Sequence, residues 1–151
     1  MTSPATALDP RLQTLVADLA KTETPAFVEV PLELLRTSGF RAALVGAHWY
    51  VSTLDRAPVF DKQTLMHALY QSGEYPAGFG FNWDALLDVL RDLEWLESAQ
   101  GIALVWRHPD VLTERSPDVA ATFREVVEDA CAHRAERGYP PLRVLVPAAP
   151  R

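Results

Sequence analysis

Gly80-Phe81-Asn82-Trp83-Asp84-Ala85-Leu86-Leu87-Asp88-Val89-Leu90 is the stretch from which the rest of the chain can be organised. Asn82 has a short polar side chain able to accept from orphan backbone amides, so it suits the N-cap of a helix. At about 100° per residue, Leu86, Val89, Leu90 and Leu93 share one broad face, which belongs in a core. Asp84, Asp88 and Asp92 recur every fourth residue on the opposite face, with Arg91 and Trp95 in the same band and Leu87 and Trp83 on its flank. The spacing predicts a helix over roughly 83–96. Its charge pattern has a local cost, because like charges at i,i+4 destabilise a helix by about 0.2–0.5 kcal/mol per pair and Asp is a weak helix former. A simpler account covers part of it: Asp84 lies in the first turn, where the helix dipole favours an anion, and Arg91 offsets Asp88.

Upstream lies the turn-rich Glu74-Tyr75-Pro76-Ala77-Gly78-Phe79-Gly80. Phe79 between two glycines reads either as a contact residue on a bendable loop or as an aromatic tucked into the core. Before it, Asp61 to Ser72 reads as a helix with Leu65, Met66 and Leu69 inward and Gly73 past its end. Arg41 to Ala47 and His48 to Leu54 are apolar runs that read as one long strand or as a hairpin about Gly46. Pro31 to Ser38 reads as a short helix stopped by Gly39, and Ala26 to Val30 fits a short strand. Asp9-Pro10 opens a helix carrying Leu12, Leu15, Val16 and Leu19 at helical spacing. Residues 1 to 7 read as a frayed end.

Downstream, Ile102 to Trp106 is a continuous apolar run, as expected of a strand covered on both faces. His108-Pro109-Asp110 reads as a turn. Ser116-Pro117-Asp118 opens a long helix expected to stop at Gly138, and Leu142 to Val146 is the last strand. From residue 48 the order is strand, helix, helix, strand, helix, strand. Connections of that length favour parallel pairing, so a small parallel sheet packed by helices is expected.

Composition narrows the function. The formal net charge of -6 argues against nonspecific nucleic-acid binding and anionic membrane surfaces, and leaves basic proteins as partners. The single cysteine, Cys131, excludes an intrachain disulfide and reads as a small buried hydrophobe. The start of the sequence does not read as a signal peptide, and no apolar stretch reaches the roughly 20 residues of a membrane span. A cytoplasmic protein is expected.

The helix stretch resembles the signature of the barstar family, intracellular inhibitors of the secreted ribonuclease barnase. Asp92-Leu93-Glu94-Trp95-Leu96, Val105-Trp106-Arg107 and Phe123-Arg124-Glu125-Val126 add to the resemblance, which covers about residues 47 to 147. It implies a small three-stranded parallel sheet packed by helices over 47–151, with residues 1–46 as an extension holding a helix and an additional strand. It implies no enzyme activity and no cofactor. The partner would be a basic ribonuclease or toxin protein, with no direct contact to nucleic acid or membrane. Asp88 would be the central carboxylate entering a site that normally holds a phosphate, Asp84 its neighbour and Glu125 a peripheral acid. Phe79, Gly80, Asn82 and Leu87 would line the contact surface. Charge-assisted hydrogen bonds from the nuclease's cations would hold such carboxylates.

Gly78 and Leu87 stand where barnase inhibitors carry a tyrosine and a tryptophan. An interaction module of the same fold with a non-nuclease partner is therefore the alternative. An acid pair of Asp84 and Asp88 working as an enzyme has no cleft motif to support it. His48, His67, His108 and His133 have no partner at metal-ligand spacing. His133, Arg134 and Arg137 read as cations placed favourably near a helix C-terminus.

Overall fold

The computed structural model describes residues 9–96 and 98–148. Its sheet has four parallel strands, β1 (Phe27–Val30), β2 (Trp49–Thr53), β3 (Gly101–Val105) and β4 (Leu142–Pro147), in the order β1-β4-β3-β2. The expected three strands are thus corrected to four. Phe27 to Val30 adds the fourth by pairing along β4, from Phe27 opposite Val144 to Val30 opposite Pro147. The expectation for residues 1 to 7 lies outside the described residues.

Side chains alternate between the two faces of the sheet. Ile102, Leu104, Leu142 and Val144 face one core. It is closed by α4 (Lys62–Ser72), α5 (Trp83–Asp92), α6 (Pro109–Arg115) and α7 (Pro117–Arg137). Val51, Ala103, Val105 and Leu145 face a second core, closed by α1 (Pro10–Leu19), α2 (Leu32–Leu35) and α3 (Ser38–Gly46). The N-terminal residues are therefore the cover of the sheet's second face, which is why every residue of β3 is buried. Each Leu, Ile or Val removed from water contributes about 1.5–3 kcal/mol.

Arg143 fastens that cover. It is buried on β4, its Nε donates to the Leu19 carbonyl at 3.1 Å, and its Nη2 donates to that of Lys21 at 3.0 Å. The end of α1 is thereby tied to the centre of the sheet, and the chain's orphan carbonyls there find a donor.

Three further expectations are corrected. Arg41 to Ala47 is helical, not extended: Phe40, Ala43 and Leu44 are the buried residues of α3, at a helical spacing that a short apolar run conceals. Pro31 to Ser38 is not one helix, since α2 ends at Leu35 and α3 has already begun at Ser38, so Gly39 lies inside a helix. His108-Pro109-Asp110 is the start of α6, with Pro109 in its first turn, and the backbone amides of Arg107 and His108 donate to the Asp55 carboxylate. Of the caps read from sequence, Asp9 holds and accepts from the Arg11 amide, whereas Ser116 makes no capping bond because its Oγ donates to the Phe60 carbonyl at 2.9 Å. Asp61, not read as a cap, forms a reciprocal capping box with Thr64.

Candidate functional site: the acidic face of α5

Asn82 caps α5 as its chemistry suggests. Its Oδ1 accepts from the Ala85 amide at 2.8 Å, and its Nδ2 donates to the Gly80 carbonyl at 3.3 Å. Gly80 is held close to this cap, since a Cβ there would lie 3.0 Å from the Asn82 side-chain Nδ2. The left-handed residue of the motif is neither glycine but Phe81, at φ 54°. An aromatic in that region is strained. Its ring is held by His67 at 4.8 Å, Tyr70 at 5.2 Å and Phe79 at 4.9 Å between centroids.

Phe79 is buried, in edge contact with Tyr75 at 5.1 Å, and shapes the surface from beneath. Gly78 and Gly80 are exposed on either side of it, and beyond Gly78 there is open space where a side chain would stand.

Leu86 and Leu90 are fully buried by α5, Leu87 is half-buried, and Asn82, Asp84, Asp88 and Asp92 are exposed. Among the described residues, neither Asp84 nor Asp88 enters a salt bridge. Arg91, which the sequence places in the same band as Asp88, turns to α7 instead and meets the Asp129 carboxylate at 2.8 Å. Glu125 is exposed on α7 one turn before Asp129 and so belongs to the face of α7 that adjoins α5.

The helix stops earlier than the pattern predicts. Leu93 takes a left-handed conformation, φ 45°, and the following Glu94–Leu96 is a short 3-10 turn. No glycine or proline marks this stop. Burial of Leu93 and capping by Arg134 offset the roughly 1–2 kcal/mol that a left-handed leucine costs. Trp95 therefore leaves the acidic band, and its indole N–H donates to the Gly73 carbonyl at 3.0 Å.

Arg134 is the residue that reasoning from sequence missed. It is not a solvated cation at the end of its own helix. Only 1% exposed, it donates from Nη1 to the Asp92 carbonyl at 2.9 Å and, at 3.4 Å, to those of Leu90 and Arg91. Its Nε and Nη2 donate to the Pro140 carbonyl. One guanidinium thus caps the C-terminus of α5 from α7. Burial pulls its pKa down, yet an arginine keeps its charge. Its setting, near Ala130, Cys131 and Tyr139, was the available signal that it points inward.

Asp84, Asp88 and Glu125 are thus exposed carboxylates on two packed helices, and Asn82, Arg134 and the Arg91–Asp129 pair fix the helix that carries the first two. Asn82, Gly80 and Leu87 border this face, whereas Phe79 lies under it. No group of three or more His, Cys, Asp or Glu among the described residues is placed to hold a metal. No helix of the described residues is long and apolar enough to cross a membrane.

A parallel α/β protein with an exposed acidic helix framed in this way invites comparison with known binding families. A family model described as Barstar (barnase inhibitor) matches residues 49–146, more than half of the chain, and the chain belongs to that family. No match was found among curated proteins. The matched segment contains the whole α5 face and three of the four strands, and β1 with α1–α3 precedes it.

Proposed function

We propose that this protein binds a basic ribonuclease or nuclease toxin and blocks its active site with the exposed face of α5. The observation that carries the reading is the exposed carboxylates of Asp84 and Asp88, without an ion-pair partner among the described residues, on a helix anchored at both ends, within a chain of the barstar family. A ribonuclease site gathers cations for a phosphate. A rigid carboxylate can take the same donors in charge-assisted hydrogen bonds without first leaving a partner of its own. Asp88 is assigned the central position, Asp84 and Glu125 flanking ones, and Gly80, Asn82 and Leu87 the border. The protein acts as an inhibitor inside the cell and not as an enzyme.

The test is titration of a barnase-type ribonuclease with the wild type and Asp88→Ala, reading both RNA cleavage and binding. Inhibition by the wild type that is lost in the variant supports the reading. Equal binding by wild type, Asp88→Ala and Asp84→Ala refutes it.

A second reading, an interaction module with a non-nuclease partner, is favoured by Gly78 and Leu87. Gly78 has room for a side chain, so packing does not explain the absence of an aromatic there. Capture from native cells with wild type and Asp88→Ala side by side separates the two readings by the identity of the protein lost from the variant.

A further inference from the structure

The connections that leave the sheet's C-terminal edge do so on opposite sides. β1 runs into α2 and α3 on one face, and β3 runs into α6 and α7 on the other, with the last strand, β4, between them. A reversal of this kind opens a crevice beyond the strand ends, the place where α/β proteins bind ligands. Here it is a cleft of about 1460 Å³. Phe27, Leu32 and Val146 give it apolar walls, and Leu32 is 43% exposed there.

The polar groups of this cleft are unusual for a chain of net charge -6. Arg36, Arg107 and Arg124 all line it, and among the described residues none of them enters a salt bridge. Of its two lining acids, Glu33 is engaged by Arg11 at 3.2 Å, which leaves Asp110. Trp106, 4% exposed, also lines the cleft, and among the described residues its buried indole N–H has no hydrogen-bond partner. Arg124 lies 4.2 Å over the Phe27 ring, an arrangement that extends a flat cationic surface along the apolar wall.

We propose that this cleft is a binding site for a small aromatic anion, a flat apolar ring bearing a phosphate, carboxylate or sulfonate. The anionic group meets Arg36, Arg107 and Arg124, and the ring lies along Phe27 and Leu32 beside Trp106. Three of these residues, Phe27, Leu32 and Arg36, precede the segment that matches the family model. The site is therefore built jointly by the N-terminal cover and the family region, and it is separate from the α5 face.

The experiment titrates the full chain with anilinonaphthalene sulfonate, with uncharged N-phenylnaphthylamine as the ring without the charge and inorganic phosphate as the charge without the ring. The expected result is saturable single-site binding of the sulfonate, with both controls at least about tenfold weaker. Arg36→Gln and Arg124→Gln each weaken it by about tenfold or more, and Arg124→Lys restores part of the loss. In isotope-labelled protein the Trp106 indole N–H resonance, assigned by Trp106→Phe, moves on binding while those of Trp49, Trp83 and Trp95 stay. Equal binding of the uncharged ring, or indifference to both arginine substitutions, overturns the proposal. So does an unmoved Trp106 resonance, or sedimentation showing that a second copy of the chain fills the cleft.

Discussion

Arg91 meets Asp129 at 2.8 Å across the contact between α5 and α7, so the cation three residues beyond Asp88 is engaged away from it. Both side chains are partly solvated, and a pair of that kind contributes about 0–1 kcal/mol to stability. Its larger effect is on where a positive charge resides. Asp129→Asn releases Arg91 toward the acidic face, where it competes with the partner's cations. The expected outcome is weaker ribonuclease binding with a nearly unchanged urea midpoint. Calorimetric titration beside an unfolding curve measures both.

Asp88→Ala removes the carboxylate assigned to the centre of the interface. A central charged anchor of this sort is worth at least about 2 kcal/mol, a loss near 30-fold in affinity. Asp84→Ala is expected to cost less in binding and also a few tenths of a kcal/mol or so in helix stability, because it removes a favourable first-turn charge. Repeating the titrations at rising ionic strength checks the assignment: the wild type weakens with salt more steeply than Asp88→Ala.

Arg134→Met keeps the buried stem and removes the donors. The carbonyls of Leu90, Arg91, Asp92 and Pro140 then lose this donor. Hydrogen bonds to charged groups contribute about 1.5–3 kcal/mol each, and the three α5 carbonyls share one Nη1, so a loss of about 3 kcal/mol is expected. Urea unfolding measures it, and amide exchange localises it to the last turn of α5.

Cys131 donates its thiol to the Leu142 carbonyl at 3.1 Å, and burial pushes its pKa up to about 11. A raised thiol pKa means that the native state keeps a proton which the unfolded chain releases near pH 8.5. Stability is therefore unaffected below that pH and falls as pH rises from there toward 11. Iodoacetamide should label the native thiol slowly at pH 8 and rapidly once the chain is unfolded. Cys131→Ala should show a shallower alkaline decline than the wild type.

Removal of residues 1–46 takes away β1 and the whole of α1, α2 and α3. Val51, Ala103, Val105 and Leu145 would then face water. At about 1.5–3 kcal/mol for each of the two valines and the leucine, that loss consumes much of the 5–15 kcal/mol of net stability typical of a domain. The truncated chain is expected to lack a cooperative thermal transition and to bind hydrophobic dyes. A sharp transition near that of the full chain would show that 47–151 stands alone.

Much of the candidate site was legible because its signals are local. Asn82 before an apolar stripe announces a cap, and the four-residue spacing of Asp84 and Asp88 places them together on one face whatever surrounds the helix. Where the reading failed, the deciding contacts were distant. Arg41 to Ala47 carries an apolar run that suits either a strand or a helix, and only its packing against the second face of the sheet selects the helix. Leu93 ends α5 without a helix-breaking residue because its burial and the reach of Arg134, over forty positions along the chain, outweigh local preference.

By itself, then, the sequence determined the periodicities, the caps at Asp9 and Asn82, the continuous burial of β3 and the acidic row that the family membership makes meaningful. Tertiary structure alone decided that Phe27 to Val30 joins β4 as a fourth strand, that Phe79 supports the site from below, and that Arg91 faces Asp129 and not Asp88. The reason is one of range. Capping and helical spacing act over a few residues and are written in neighbouring letters. Strand pairing, burial and the choice of an ion's partner depend on which distant groups the folded chain brings within a few ångströms.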